Sequence, residues 1–139
     1  MKRIFREVGW SWATRFADDD RMAEAVRPRV AEVEGAAECL VVTCPGWLRH
    51  GEQDLPFSCV LSVSTSRVAR RQGLAQDLLA RCLGESAADG ALVAGLGMFE
   101  QGFYDRLGFG SGPYLRLIEC NPADLTVKGK PRPPRRLCP

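Results

Sequence analysis

The sequence predicts an α/β protein, and three consecutive segments in the middle of the chain carry this prediction. Residues 57–64 form an apolar run that is typical of a mostly buried strand. Apolar residues then recur at helical spacing from Leu74 to Leu83, with polar residues on the opposite face. Residues 91–98 are again apolar and are too few to span a membrane. Strand, helix and strand in this order predict a crossover that makes two parallel neighbours in one sheet.

The turn that leads into this helix, Arg70–Ala75, is the main candidate for a binding site. It follows the carboxyl end of a strand, where open α/β sheets bind ligands. The first N–H groups of a helix have no partner within it, and the helix dipole adds positive potential there. Gly73 allows close approach to a phosphate, and Arg70 and Arg71 add positive charge. The pattern indicates phosphate binding, although a solvated basic turn that caps a structural helix has the same sequence.

The elements on either side of this unit are predicted from composition. Three consecutive aspartates supply an N-cap and first-turn charges for a helix, apolar and β-branched runs favour strands, and glycine is a typical helix stop. We expect a strand at 3–8, a helix from Asp18 to Val26, a further helical turn at Val30–Val33, a strand at 39–44 closed by a Pro45-Gly46 turn, a polar connection at 47–56, a short helix ended by Gly108, and a strand at 114–119.

A second motif makes a family resemblance specific. After the apolar strand the chain reads Arg-x-x-Gly-x-Ala from residue 70, and about thirty residues later it reads Phe-Tyr-x-x-Leu-Gly-Phe from residue 103. In this order the two motifs resemble the GCN5-related N-acetyltransferase family over residues 57–118. The ending Tyr-x-x-Leu-Gly-Phe-Gly, with Glu100 four residues before Tyr104, is most similar to bacterial members of the enhanced-intracellular-survival type.

The resemblance implies a fold, a cosubstrate and a set of binding residues. Members of the family have an acyl-CoA N-acyltransferase fold, in which helices flank a central twisted mixed β-sheet, and they transfer an acetyl group from acetyl-CoA to an amine. In relatives, the main chain of the strand at 61–65 pairs with the pantetheine arm, and the turn that follows wraps the pyrophosphate. The cofactor-binding residues implied here are Leu61, Val63, Ser64, Thr65, Arg70, Arg71, Gln72, Gly73, Leu74 and Ala75.

The resemblance also suggests catalytic residues. Tyr104 falls where family members often have the general acid, and a phenol with a pKa of ~10 can protonate a departing thiolate whose thiol has a pKa near ~8.5. Glu100, one helical turn earlier, is a candidate base, although it would also stabilise a helix N-terminus. His50, Glu52 and Asp54 are weaker candidates for the base, because a solvated loop explains each of them.

Two other functions are open at this stage. A non-catalytic acetyl-CoA or CoA-binding module, acting as a sensor or a subunit, would need the same turn but no acid or base. An interaction protein that does not bind the cosubstrate would need neither the basic turn nor the catalytic residues. The intact Arg-x-x-Gly-x-Ala motif argues against this function. The leading interpretation is direct transfer from acetyl-CoA to a primary amine of an unidentified acceptor.

Length and charge bound the remaining possibilities. A chain of 139 residues fits one domain at 1–122, with a shortened N-terminal lobe, and a basic, proline-rich tail at 123–139. The net charge of +2 is too small to predict nucleic-acid binding. No apolar stretch suggests a signal peptide or a membrane span, so we expect a cytoplasmic protein. Trp10 and Trp12 could line a cleft or form a homodimer interface, and packing is the commoner role of such residues.

Six cysteines raise the question of a metal site. They stand at 39, 44, 59, 82, 120 and 138, without a Cys-x-x-Cys pair, and the chain has a single histidine. This spacing is poor for zinc, so we expect no metal and reduced thiols.

Overall fold

The computed structural model of the chain describes residues 2–9, 24–97 and 102–112, with isolated positions at 119, 121, 126 and 129. Its regular elements are α1 (Lys2–Glu7), β1 (Arg27–Val33), β2 (Ala36–His50), β3 (Gln53–Thr65), α2 (Leu74–Ala88) and β4 (Val93–Leu96). Two single 3₁₀ turns, Arg67–Ala69 and Asp105–Leu107, follow β3 and β4 in the chain. No helix within these ranges is long and apolar enough to cross a membrane.

The four strands form one mixed sheet in the order β1-β2-β3-β4. Strands β1, β2 and β3 pair in antiparallel fashion through two hairpins. Strands β3 and β4 are parallel, because α2 connects the end of one to the start of the other. The expected strand–helix–strand crossover and the mixed sheet flanked by helices are therefore both confirmed.

Each face of the sheet has its own apolar core, because successive residues of a strand point to opposite faces. On one face, α2 packs against alternate residues of β2 and β3. The buried residues of this cluster are Cys39, Val41, Val60, Leu78, Leu79 and Cys82. On the other face, α1 packs against the residues between them in β2, and the buried cluster is Ile4, Phe5, Leu40 and Val42.

The N-terminal third differs most from expectation. Residues 3–8 were expected to be a strand, but Lys2–Glu7 is helix α1, which buries Ile4 and Phe5. The helical turn expected at Val30–Val33 is also wrong, because these residues belong to β1. Positive φ angles at Glu34 and Gly35, +51° and +77°, make a tight hairpin turn that joins β1 to β2.

The β2–β3 hairpin is longer than the sequence suggests. A turn was expected at Pro45-Gly46, but β2 continues through it to His50, and the expected polar connection at 47–56 is strand on both sides of a turn at residues 51–52. Within the described ranges, pairing with β1 ends at Thr43, so Pro45 lies where β2 is an edge strand and needs no N–H on its outer side. Trp47, in this part of the hairpin, is 71% exposed.

Several expectations concern parts of the chain outside the described residues. These are the roles of Trp10 and Trp12, the helix start at Asp18–Asp20, the strand at 114–119 and the tail at 123–139. The short helix ended by Gly108 is described from residue 102 onward and contains the 3₁₀ turn Asp105–Leu107, after which Gly108 has a φ of +85°.

The packing of α2 generates a stability prediction. Leu79 is fully buried between α2 and the sheet, so Leu79→Ala removes apolar contacts and leaves a cavity. We expect the free energy of unfolding, measured by urea denaturation, to fall by about 2–5 kcal/mol. Gln76→Ala, at an exposed position of the same helix, is the control and should change it by less than about 0.5 kcal/mol. Equal effects of the two substitutions would contradict the described helix face.

Candidate functional site

The site begins where β4 separates from β3. The described parallel pairing covers Phe57 to Val60 and ends at Val60 opposite Leu96, while β3 continues to Thr65. Alternate residues of a strand direct their N–H and C=O groups to the same side. Residues 61–65 therefore present main-chain donors and acceptors to the opening between the two strands.

A bulge in β3 lies at the same point. Val42 of β2 is opposite Ser62 and Thr43 is opposite Val60, so Leu61 is an extra residue with no partner on β2. A bulge bends its strand and increases the local twist. The bend coincides with the end of the β3–β4 pairing, which explains why the two strands diverge there. Leu61 is 46% exposed.

A cavity of about 490 Å³ fills the opening, a volume within the usual range for small-molecule sites. Its wall includes the divergent part of β3, the basic turn and the segment that contains Tyr104. The sequence-predicted site residues that line it are Leu61, Val63, Ser64, Thr65, Arg70, Arg71, Ala75 and Tyr104. Val8, which follows α1, also lines it and was not expected from the sequence.

The basic turn has an unusual backbone. Arg71 has a φ of +64° and Gly73 a φ of +79°, both in the left-handed region, before α2 begins at Leu74. A Cβ atom on Gly73 would meet only Asp77 Oδ2, at 3.9 Å, so the conformation rather than crowding favours glycine here. The N-cap position has no side-chain hydrogen bond to the helix N–H groups.

Not every predicted residue of the turn reaches the cavity wall. Gln72 and Gly73 are exposed and Leu74 packs against the apolar cluster beneath α2, and none of the three lines the cavity. Arg70 is held toward the strand by its Nε–H, which donates to the Thr65 carbonyl oxygen at 3.5 Å. Arg70 and Arg71 both line the cavity, and Arg70 is also bonded to the end of β3.

A buried polar cluster anchors the end of β3. The Ser66 N–H donates to the Glu38 carbonyl oxygen at 2.8 Å, and the Ser66 hydroxyl donates to the Glu38 carboxylate. Arg3 of α1 donates to the same carboxylate at 3.0 Å. The sequence did not predict this cluster. Glu38 lies within one strand and Ser66 directly follows another, and no sequence pattern indicates that two such residues are in contact.

The cluster also shifts the titration of its acid. The hydrogen bond from Ser66 and the nearby Arg3 guanidinium lower the pKa of the Glu38 carboxyl below its ordinary value of 4.5, although burial acts in the opposite direction. Beside it, the main-chain N–H of Arg67 donates to the Glu7 carboxylate at 2.7 Å. Helix α1 therefore holds the first residues after β3 directly through the Glu7 carboxylate and indirectly through Arg3, which binds Glu38 of β2.

Tyr104 is fixed by aromatic packing. Its ring meets Phe103 and Phe109 edge to face, with centroid distances of 5.0 and 5.9 Å. Its carbonyl oxygen accepts the N–H groups of Leu107 and Phe109 at 2.9 and 3.2 Å, which closes the 3₁₀ turn. The ring is half-buried and borders the cavity, whereas Glu100 lies outside the described residues.

The three weaker candidates for the base lie away from the cavity. His50, Glu52 and Asp54 are exposed at the tip of the β2–β3 hairpin, and none of them lines the cavity. Asp54 pairs with Arg49 at 3.1 Å instead. Among the described residues, no group of three or more His, Cys, Asp and Glu side chains could hold a metal ion.

Comparison with known proteins identifies the family. Residues 9–112 match the family model for the acetyltransferase (GNAT) domain, which is most of the chain. The chain belongs to the GNAT acetyltransferase family. The resemblance inferred from the two motifs is thereby confirmed, and the match supports acetyl transfer as the class of activity. A search of curated protein sequences gave no significant match.

Solved structures of GNAT proteins and others share the fold. Eis1 from Mycobacterium abscessus is 28% identical, with 60% of this chain and 22% of that chain covered and a TM-score of 0.58. Aminoglycoside N-acetyltransferase AAC(6')-Iy in complex with CoA is 14% identical, with 87% and 96% covered and a TM-score of 0.62. A transcriptional regulator from Bacillus halodurans C-125 is 19% identical, with 77% and 74% covered and a TM-score of 0.63.

The Glu38 cluster generates a prediction on pH. Because the folded-state pKa of Glu38 is lowered, its contribution to stability is present above the unfolded pKa and is lost as the pH falls toward the folded value. Glu38→Gln should therefore destabilise the protein at about pH 7, and its difference from wild type should shrink as the pH approaches about 3. Urea denaturation across this range measures the effect.

Glu32→Gln, at an exposed position on β1, is the control for removing one carboxylate. Its difference from wild type should stay small at every pH. A Glu38→Gln difference that does not change with pH would contradict the described hydrogen bonds.

Proposed function

We propose that this GNAT protein transfers an acetyl group from acetyl-CoA directly to a primary amine. One observation carries the proposal: the divergent half of β3, the basic turn and Tyr104 border a single cavity. These are the parts that the reaction needs, namely main-chain groups for the cosubstrate, positive charge for its phosphates and a proton donor for its thiolate.

The main chain of β3 is the proposed partner of the pantetheine arm. Residues 61–65 have β2 on one side and no described strand on the other, so an extended amide-bearing chain can add there as a strand would. The N–H groups at the start of α2, including those near Gln72, Gly73 and Leu74, would then meet the pyrophosphate. Arg70 and Arg71 would contribute charge from the cavity border.

The chemistry proceeds by attack of the amine nitrogen on the thioester carbonyl carbon. A main-chain N–H near Val63 or Ser64 would stabilise the oxyanion that forms. The carbon–sulfur bond then breaks, and the Tyr104 hydroxyl would give its proton to the departing thiolate. We propose Glu100 as the base that removes the proton from the acceptor ammonium, because it stands four residues before Tyr104 in the sequence.

Two further properties belong to the same proposal. A cytoplasmic, bacterial setting fits an enzyme that consumes acetyl-CoA, and a homodimer is also part of the proposal. Size-exclusion chromatography with light scattering decides the second point, since a monomeric mass at working concentration would exclude the dimer.

Binding of the cosubstrate is tested with Gly73→Glu. Glutamate adds a negative charge at the start of α2, where the pyrophosphate is proposed to lie, so calorimetric titration with acetyl-CoA should show affinity reduced by more than about tenfold. Gly73→Asn is the matched control, because asparagine tolerates a positive φ and adds no charge. Gly84→Glu adds the same charge at an exposed position of α2 and should bind as wild type.

Failure of the folded wild-type protein to bind acetyl-CoA would refute the transferase and the non-catalytic module alike. Equal affinity in Gly73→Glu and Gly84→Glu would refute the proposed position of the pyrophosphate.

The role of Tyr104 is tested with Tyr104→Phe. This change removes the hydroxyl and keeps the ring that packs on Phe103 and Phe109. We expect kcat to fall by about 10²-fold or more with little change in acetyl-CoA affinity, measured as thiol release in the presence of a panel of primary amines. Full turnover by the variant would remove the acid role, and binding without turnover on any amine would favour the non-catalytic module.

A further inference from the structure

Cys44 and Cys59 lie directly opposite each other on the antiparallel strands β2 and β3. Residues paired in this way point to the same face of the sheet, with Cα atoms about 4.5–5.5 Å apart. Disulfides join cysteines whose Cα atoms are about 4.4–6.8 Å apart. The strand register therefore places the two Cα atoms within the range of a disulfide without any slip of one strand along the other.

The other two described cysteines are buried, whereas Cys44 and Cys59 are not. Cys39 and Cys82 are 0% and 2% exposed and belong to the apolar core beneath α2. Burial raises the pKa of both thiols, which disfavours the thiolate that reacts with disulfides. Cys44 and Cys59 are partly exposed free thiols, so reagents in solution can reach them.

We propose that Cys44 and Cys59 are a modification site, at which a low-molecular-weight disulfide oxidises the pair to a reversible intramolecular disulfide. The inference rests on strand register and exposure and is independent of the proposed acetyl transfer.

The exchange balances in two steps. The Cys44 thiolate attacks one sulfur of the reagent, forms a mixed disulfide and expels one thiolate. Cys44 reacts first because burial and the neighbouring Cys44 charge raise the pKa of the Cys59 thiol. That charge is absent from the mixed disulfide, so Cys59 then ionises more readily, attacks the Cys44 sulfur and expels the second thiolate. Two electrons pass to the reagent, and the two cysteine protons end on the two released thiols.

Closure of the bond has a structural cost. Opposed residues have Cβ atoms about 4.5–5.5 Å apart, whereas a disulfide needs about 3.8 Å, so β2 and β3 must approach each other locally. The Cys44 thiol also gives up a weak hydrogen bond to the Ala25 carbonyl oxygen at 3.4 Å. Strain of this kind makes a disulfide easier to reduce, which fits a reversible modification rather than a permanent crosslink.

The experiment uses the full chain and oxidised glutathione as the reagent. After incubation, the remaining thiols are alkylated and the protein is analysed by mass spectrometry. We expect Cys44 and Cys59 to be joined to each other, two hydrogen atoms lighter than the two thiols, with neither an alkyl group nor glutathione on them. Dithiothreitol added before alkylation should restore both thiols. Trypsin leaves Cys39 and Cys44 on one peptide, between Arg29 and Arg49, so chymotrypsin is added to cut after Leu40 and separate them.

Substitutions identify the pair. Cys44→Ser and Cys59→Ser should each abolish the internal disulfide and leave glutathione on the remaining cysteine. Cys39→Ala is the matched control on β2 and should keep the disulfide. Wild-type protein that carries glutathione on Cys44 and Cys59 separately, or an internal disulfide of Cys59 that survives in Cys44→Ser, would overturn the proposal. Should a serine variant fail to fold, peptide mapping of the wild-type protein decides alone.

Discussion

Among the described strands, β3 has two neighbours at residues 57–60 and only β2 beside residues 62–65, and the candidate site depends on this difference. The main-chain groups of a strand need partners, and burial without them is costly. Where β4 departs after Val60, the bulge at Leu61 turns β3 away and leaves a row of donors and acceptors beside a cavity. The basic turn follows the far end of that row, and Arg70, Arg71 and Ala75 line the same cavity as the strand.

Apolar packing alone would not fix the end of this row. The two cores hold α1 and α2 to opposite faces of β2, but residues 66–73, between β3 and α2, belong to neither. Glu38 supplies the missing restraint, since its main chain and its carboxylate both bind Ser66. Arg3, on α1, neutralises the charge of the Glu38 carboxylate. The basic turn thus starts from a fixed point, although its arginine side chains are exposed.

The central unit of the fold could be predicted because strand and helix have different apolar periods, which residues 57–96 show clearly. The basic turn was expected to bind a ligand at the carboxyl end of a strand, and Tyr104 was a candidate acid by the family resemblance. Both border the cavity. The N-terminal half was less predictable, since Pro45 normally indicates a turn and is tolerated here only on an edge strand. The bulge at Leu61 and the buried Glu38 depend on strand register, which a local pattern does not encode.

The order of strands also bears on how the molecule assembles. Strands β1, β2 and β3 are joined by two tight hairpins, whose contacts are close in sequence and form at small entropic cost. Strand β4 can pair only after the whole crossover helix has been brought across, a long-range step. We therefore expect the three-stranded meander to gain protection from hydrogen exchange first in refolding, with the ligand cavity completed last. Amides of β4 protected before those of β1 in pulse labelling would argue against this order.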